Sequence, residues 1–458
     1  MISLFRSSLL LLTASIANAS LQIVPGATWT ATNTGKHVQA HGAGVIKLDD
    51  TFYLIGEDKT NGSAFQNINC YSSKDLVSWT YEGALLSRTA EAGDLGPNRV
   101  VERPKVLRHP TTGKYVLYMH IDSSDYGEAK VGVAVGDTVC GKYTYLSSWR
   151  PLGFQSRDMG LFQDDDGKAY LMTEDRANGL RIDALTDDYL NISGTSSTYL
   201  WDESIEAPAI LKRGGYYFMF GSWLTGWSPN DNVYSYATNL SGPWSSWDTF
   251  ADVGSNTYSS QTNYILPLSS SEAIYLGDRW ISTNLMRSTY IWLPLTITNE
   301  TNVTMPNRDS WVPHAAEGAW SAAPAETSIE AENATLSGGA RILSCSGCSG
   351  ASSVGYLGGA NGTSGGTVTF DGAESDVDAL TTLRLQYENG DTGQRFASVS
   401  CNGVEQTVAF LPTTNGNTPG SSVVNCQLKK GSGNEVVVEG LGDGTWGPDL
   451  DELIVPSS

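Results

Sequence analysis

The stretch Ser204-Ile205-Glu206-Ala207-Pro208-Ala209-Ile210-Leu211-Lys212-Arg213-Gly214-Gly215-Tyr216-Tyr217-Phe218-Met219-Phe220-Gly221-Ser222-Trp223 decides the fold. Two apolar, β-prone runs flank Lys-Arg-Gly-Gly, which predicts a hairpin. Related units recur on either side of it. An apolar run, a polar turn and an aromatic-rich strand repeat at 45–57, 106–118, 161–171 and 265–277, with Tyr53, Tyr115, Tyr170, Tyr217 and Tyr275 at matching places. A second strand–turn–strand half follows most copies, as at 71–79, 133–143 and 234–244. Four strands per unit and five units predict an all-β, five-bladed β-propeller. Chance hairpins in an ordinary sandwich do not account for five matching copies.

The length, 458 residues, exceeds one ordinary core, so a second domain is expected. Residues 1–19 read as a secretory signal: Arg6, the run Leu9-Leu10-Leu11-Leu12, then Ala17-Asn18-Ala19. The run is too short to span a bilayer, and a secreted, extracellular protein without a membrane segment is expected. The propeller is assigned to 20–313 and a linker rich in small residues to 314–327. Beyond it Gly, Ser, Thr and Val dominate, with strand-like runs at 366–370, 382–387, 397–401, 406–410, 423–428 and 434–440. Residues 328–458 therefore read as a β-sandwich. Sequons begin at Asn61, Asn191, Asn239, Asn299, Asn302, Asn333 and Asn361, so a glycoprotein is expected.

The net charge of −21 argues against nucleic acid as a partner, because a polyanion needs clustered Lys and Arg. Thirteen Trp and 21 Tyr are a generous supply of aromatics; some must be core, and exposed ones commonly stack on flat apolar faces of ligands, including sugars. Six cysteines in an oxidising route predict disulfides rather than zinc. Cys345–Cys348 and Cys401–Cys426 are the preferred pairs; Cys70 and Cys140 either pair or stay as buried thiols. Asp164-Asp165-Asp166-Gly167 reads as a hairpin turn rather than a calcium loop.

Polar residues fall at comparable places in the five units. Glu57 ends a strand, while Glu102, Asp158, Glu206 and Gln261 stand at or just ahead of first strands. First strands of a propeller begin near its centre, so these side chains should converge on one pocket. Paired carboxylates in one pocket are the equipment of glycoside hydrolysis. Glu206, beside apolar residues and Pro208, is placed to be desolvated and hence protonated, as a general acid must be.

Asp158-Met159-Gly160-Leu161-Phe162-Gln163-Asp164-Asp165-Asp166-Gly167-Lys168-Ala169-Tyr170, and Ile205-Glu206-Ala207-Pro208 followed by Gly-Gly-Tyr-Tyr, resemble glycoside hydrolase family 43. Val101-Glu102-Arg103-Pro104-Lys105 and Tyr258-Ser259-Ser260-Gln261-Thr262 resemble its fungal exo-β-1,3-galactanase branch. The resemblance implies an inverting hydrolase acting on β-1,3-galactan in arabinogalactan. It implies Glu206 as general acid, Asp158 as the group that tunes it, and Gln261 as the residue that positions water. Most of the family carries an Asp base near the first inner strand; Gln39-Ala40-His41-Gly42-Ala43-Gly44-Val45 has no acid there, a gap that the branch shares. The expected substrate contacts are Glu102, Glu57, Arg103, Tyr126, Asp175 and Thr225. An α-L-arabinofuranosidase or β-xylosidase of the same family, or an inert sugar-binding propeller, are the alternatives. No cofactor is expected for catalysis, and a monomer is expected.

Ser328-Ile329-Glu330-Ala331-Glu332-Asn333 and Trp446-Gly447-Pro448-Asp449-Leu450-Asp451-Glu452-Leu453 resemble carbohydrate-binding module family 35. That resemblance implies calcium on Glu330, Glu332 and Asp451, and sugar contacts from Tyr356, Trp446 and Asp449.

Overall fold

The computed structural model describes residues 21–457, apart from 202, 203, 360, 361, 363, 364 and 414–418 and the side chains of 195–201. The expected signal at 1–19 and the sequon at Asn361 lie outside the described residues. Strands dominate, and no helix among the described residues is long and apolar enough to cross a membrane.

Twenty strands form five four-stranded antiparallel sheets in chain order. The first holds β1 (His41–Leu48), β2 (Thr51–Glu57), β3 (Asn67–Ser73) and β4 (Thr80–Ser87); the second, β5 (Val100–Arg108), β6 (Tyr115–Asp122), β7 (Lys130–Gly136) and β8 (Thr144–Trp149). The third holds β9 (Met159–Gln163), β10 (Ala169–Asp175), β11 (Gly179–Leu185) and β12 (Ile192–Trp201); the fourth, β13 (Ile205–Arg213), β14 (Tyr216–Trp223), β15 (Val233–Ala237) and β16 (Asp248–Thr249). The fifth is β17 (Gln261–Pro267), β18 (Glu272–Arg279), β19 (Thr289–Thr298) and β20 (Asn302–Thr304). Each marker tyrosine lies in the second strand of its sheet.

The sheets form a ring. β1 lies against β5, β5 against β9, β9 against β13, β13 against β17, and β17 against β1. Neighbouring sheets share their apolar cores: Ile55 packs with Leu117, Tyr118 with Leu171, and Met172 with Met219. Sheet five joins sheets four and one through Ile274, Phe218 and Phe52. Being covered on both faces explains why β6 is buried at every position and reads as a nearly continuous apolar run. The Asp164–Gly167 stretch is the expected turn, with Gly167 N donating to Asp164 O at 2.9 Å.

The stretch expected to be a short linker, 314–327, carries strands of its own. β21 (Trp311–His314) and β22 (Ala319–Ala322) form a hairpin. Small residues dominate its sequence, but two tryptophans anchor it: Trp311 donates to Trp292 O and Trp320 to Glu272, each at 2.9 Å.

The C-terminal unit has two antiparallel sheets. One orders Arg341–Ser344, Ser352–Gly355, Asp449–Pro456, Ala379–Glu388 and Gly420–Leu428, with Glu326–Glu330 also on Asp449–Pro456. The other orders Thr335–Ser337, Thr367–Ser375, Gly431–Glu439, Arg395–Cys401 and Val404–Phe410. Leu385, Val424 and Leu453 of the first share one core with Phe370, Val399 and Val438 of the second. Disulfides join Cys345 to Cys348, Cys401 to Cys426 and Cys70 to Cys140.

Candidate active site

The first strands are irregular where the polar residues stand. Register slips occur between His41 and Gly44, Glu102 and Lys105, Glu206 and Ala209, and Thr262 and Tyr264. Within these bulges Arg103 (φ 55) and Ala207 (φ 57) take the left-handed conformation, which side chains disfavour. A bulge re-aims the adjacent side chains. Glu57, Glu102, Arg103, Asp158, Glu206 and Gln261 line one cavity of about 360 Å³. Tyr126, Arg176, Trp227 and Trp280 complete much of its wall.

Within the first strand, position 42 has no room for a side chain. Gly42 has φ +57 and its N–H donates to Asp278 at 2.6 Å. A Cβ there would stand 2.2 Å from Glu57 Oε1, so the Glu57 carboxylate fills the space.

Charges in the pocket are paired with care, as burial demands. Lys59 Nζ lies 2.6 Å from Glu57 and 3.2 Å from Glu102. Burial works to raise Glu102, but Lys59 and His120 prevail and hold it ionised. Tyr126 donates to it at 3.0 Å. His120 bonds Asp122 at 2.9 Å; burial opposes its charge, yet Asp122 and Glu102 push it up to about 9. Burial pushes Glu57 up against the pull of Lys59. Glu102, His120 and Asp158 bring ligating atoms within 4.8 Å of one another, but Lys59 and Arg103 already bring positive charge to the two acids.

Glu206 differs from its neighbours. Burial first, then the negative charges of Asp158 and Glu174, push it up to about 9, against the pull of Arg103 and Arg176. It holds its proton at neutral pH. Asp158 is fixed by Arg103 Nη2 at 2.9 Å. Between these two acids stands Gln261. Its Oε1 accepts from Arg103 Nη2 and from Trp280 Nε1, the latter at 2.9 Å. Its Nε2 donates to Glu206 at 2.8 Å and to Ser222 at 3.1 Å. Arg and Trp can only donate, which fixes the amide orientation and uses all four of its hydrogen-bonding positions.

Two of the expected contacts stand outside the cavity lining. Asp175 does not line the cavity: it is buried and pairs with Arg181 at 3.0 Å. Thr225 stands beside the wall, its hydroxyl donating to Ser228 O at 2.5 Å, while Gly226 and Trp227 form the wall itself. Trp227, Trp280, Arg176 and Lys59 were missed by sequence reasoning. The two tryptophans lie in connections, where the strand repeat gives no signal.

In the C-terminal unit Glu330 Oε2, Glu332 Oε2 and Asp451 Oδ1 are buried without hydrogen-bond partners. Burial, then the charges of Glu452, Glu330 and Glu332, push Asp451 up to about 7. Tyr356 and Trp446 stand edge to face, 5.8 Å apart and partly exposed, with Arg341 3.9 Å over the Tyr356 ring. Asp449 is half-buried; burial raises it and Arg395 opposes.

Residues 37–264 match the family described as Glycosyl hydrolases family 43. A solved exo-β-1,3-galactanase from Phanerochaete chrysosporium, holding β-1,3-galactotriose, is 40% identical over 95% of this chain and 100% of its own, with a TM-score of 0.65. An extracellular exo-α-(1→5)-L-arabinofuranosidase from Cellvibrio japonicus is 25% identical over 43% of this chain and 63% of its own length. A β-D-galactofuranosidase from Aspergillus niger is 30% identical over 39% of this chain and 55% of its own. The chain thus spans less than two thirds of these two curated relatives but the full length of the galactanase, and it belongs to glycosyl hydrolases family 43.

Proposed function

We propose that the protein is a secreted, inverting exo-β-1,3-galactanase releasing galactose from the β-1,3-galactan backbone of arabinogalactans. The five sheets are read as a five-bladed β-propeller, and residues 328–458 as a β-sandwich module of family 35. One observation carries the reading: Glu206, whose burial favours its proton, lines one pocket with an Asp158 pinned by Arg103, in a chain that covers the full length of a galactanase.

In this mechanism Glu206 gives its proton to the glycosidic oxygen as the bond to the anomeric carbon breaks. Asp158 faces the positive charge that develops on the sugar and keeps Glu206 protonated beforehand. Water attacks from the opposite face, oriented by Gln261. For a sugar to lie between Glu206 and that water, the 2.8 Å bond from Gln261 Nε2 to Glu206 must open, which frees the N–H for the water. A neutral amide is a poor base. The water therefore loses its proton late, to solvent water, once bonding to carbon has made it acidic, and Glu206 regains a proton from solvent before the next turnover. Glu102, Glu57, Arg103 and Tyr126 bind sugar hydroxyls.

Calcium fits the C-terminal unit. Three buried carboxylate oxygens without partners are the hard oxygen donors this ion takes. Glu330, Glu332 and Asp451 would hold it, and its charge would relieve their repulsion. Tyr356, Trp446 and Asp449 are the sugar contacts of the module.

The test is incubation with β-1,3-galactan, arabinan and xylan, with identification of the released sugar. Galactose from galactan alone is expected. Arabinose or xylose would replace the reading with another activity of the family, and no release from any of them would leave an inert sugar-binding propeller.

A further inference from the structure

The connection between β18 and β19, residues 280–288, begins with Trp280, the donor to Gln261 Oε1. We propose that the C-terminal unit is a working part of the catalytic pocket: it clamps this connection and so sets Trp280 and, through it, Gln261. The inference rests on the water-positioning role proposed for Gln261.

Packing alone does not fix Trp280. A second cavity of about 350 Å³ lies against it, bounded also by Trp227, Asn232, Ser260, Gln261 and Ile281. On that side the ring faces open cavity rather than packed side chains. Its ring neighbours are Trp227, edge-on at 5.3 Å, and His41, also at 5.3 Å. The orientation of Trp280 then depends on the chain that carries it.

That chain is held from two directions. From the ring of sheets, Gln39 Nε2 donates to Met286 O at 2.9 Å, and His37 Nε2 lies 3.2 Å from Ser288 O. From the C-terminal unit, Asn284 Nδ2 donates to Thr392 O at 2.8 Å and Arg287 to Pro412 O at 3.4 Å. Gln394 Oε1 accepts from His37 N at 3.3 Å, so one short segment of the C-terminal unit holds both the connection and the residue that backs it. Bonds from Ala409 N to Thr30 and from Asn425 to Ser78, each 3.1 Å, keep the two units in register. A module that only tethers the enzyme to its polysaccharide would not need to grip a pocket-bearing connection.

The test uses the full-length protein and β-1,3-galactotriose, a soluble substrate that needs no tethering. Asn284→Asp sets an acceptor against the Thr392 carbonyl, and Gln394→Leu removes the bond to His37. Each single variant should lower kcat about threefold and the double variant about tenfold, with KM held within about twofold. Melting temperature, measured alongside, shows whether the variants fold. In a Gln261→Ala background the double variant should add nothing, because both changes act on one element. An ordinary kcat in the double variant, beside an impaired Gln261→Ala enzyme, overturns the clamp alone. Additive losses in that background overturn the route through Gln261. An ordinary kcat for Gln261→Ala overturns the water-positioning reading itself.

Discussion

The catalytic pocket and the acidic corner of the C-terminal unit both crowd carboxylates into buried space, and they resolve the repulsion in different ways. In the pocket, cations of the chain stand among the acids: Lys59 between Glu57 and Glu102, Arg103 on Asp158, and Arg176 on Glu174 at 2.6 Å. Glu206, which no Lys or Arg pairs among the described residues, responds by keeping its proton. At Glu330, Glu332 and Asp451, no Lys or Arg is paired with any of the three among the described residues, and buried oxygens are left without partners. A pocket that carries its own countercharge can spare one acid for proton transfer. A cluster without it is where the proposed calcium would act.

The largest expected effect breaks the first half of that contrast. Glu206→Gln keeps the shape and removes the proton donor, so kcat on galactan should fall by about 10²–10⁴-fold with the fold intact by circular dichroism. In the unaltered enzyme, kcat/KM should fall as pH rises through about 9, where free Glu206 loses its proton. Near-normal turnover in the variant, or an alkaline limb down in the ordinary carboxylate range, would remove Glu206 from the acid role.

Lys59→Met comes next. It leaves two buried carboxylates facing each other without their shared cation, and breaking such a buried pairing costs about 3–5 kcal/mol. Chemical denaturation should report a loss of that order; a loss below about 1 kcal/mol would mean that Glu57 and Glu102 balance each other without Lys59.

A smaller effect sharpens the second half. Calcium at 100 times its dissociation constant should stabilise the full-length protein by about 2.7 kcal/mol, read as a higher melting temperature that a chelator reverses. Asp451 adds a sign. Its folded pKa, about 7, lies above the ordinary 3.8, so without calcium the folded state binds the extra proton between those values. Stability contributed by that proton is lost as pH rises from about 4 to about 7, and calcium should flatten the slope. A chelator-insensitive melting temperature would reject the three-residue site.

The contrast also separates what the sequence discloses from what it hides. Glu206, Glu102, Asp158 and Gln261 were legible because a fivefold repeat places them at equivalent points, and equivalence implies convergence. The bulges beside Glu102, Glu206 and Gln261 were not, because a register slip leaves no mark on an apolar run. Asp175 misled for the same reason that Glu57 did not: both end the second strand of their sheets, yet Glu57 meets Lys59 in the pocket and Asp175 meets Arg181 in a buried pair. Which cation a carboxylate finds is set by side-chain packing that periodicity does not encode. Trp227 and Trp280 lie in connections and were passed over. In the C-terminal unit, the six strand-like runs each fall within or overlap an observed strand, because alternation along a two-sheet core is a direct sequence signal.

The central claim is that water held at Gln261 attacks opposite Glu206 in a single displacement. Proton NMR of the anomeric signals, recorded in the first minutes of β-1,3-galactan hydrolysis before mutarotation, tests it most directly. Inversion predicts that α-galactose appears first. Initial release of β-galactose would mean retention through a glycosyl-enzyme and would contradict the roles given to Gln261 and Glu206 together.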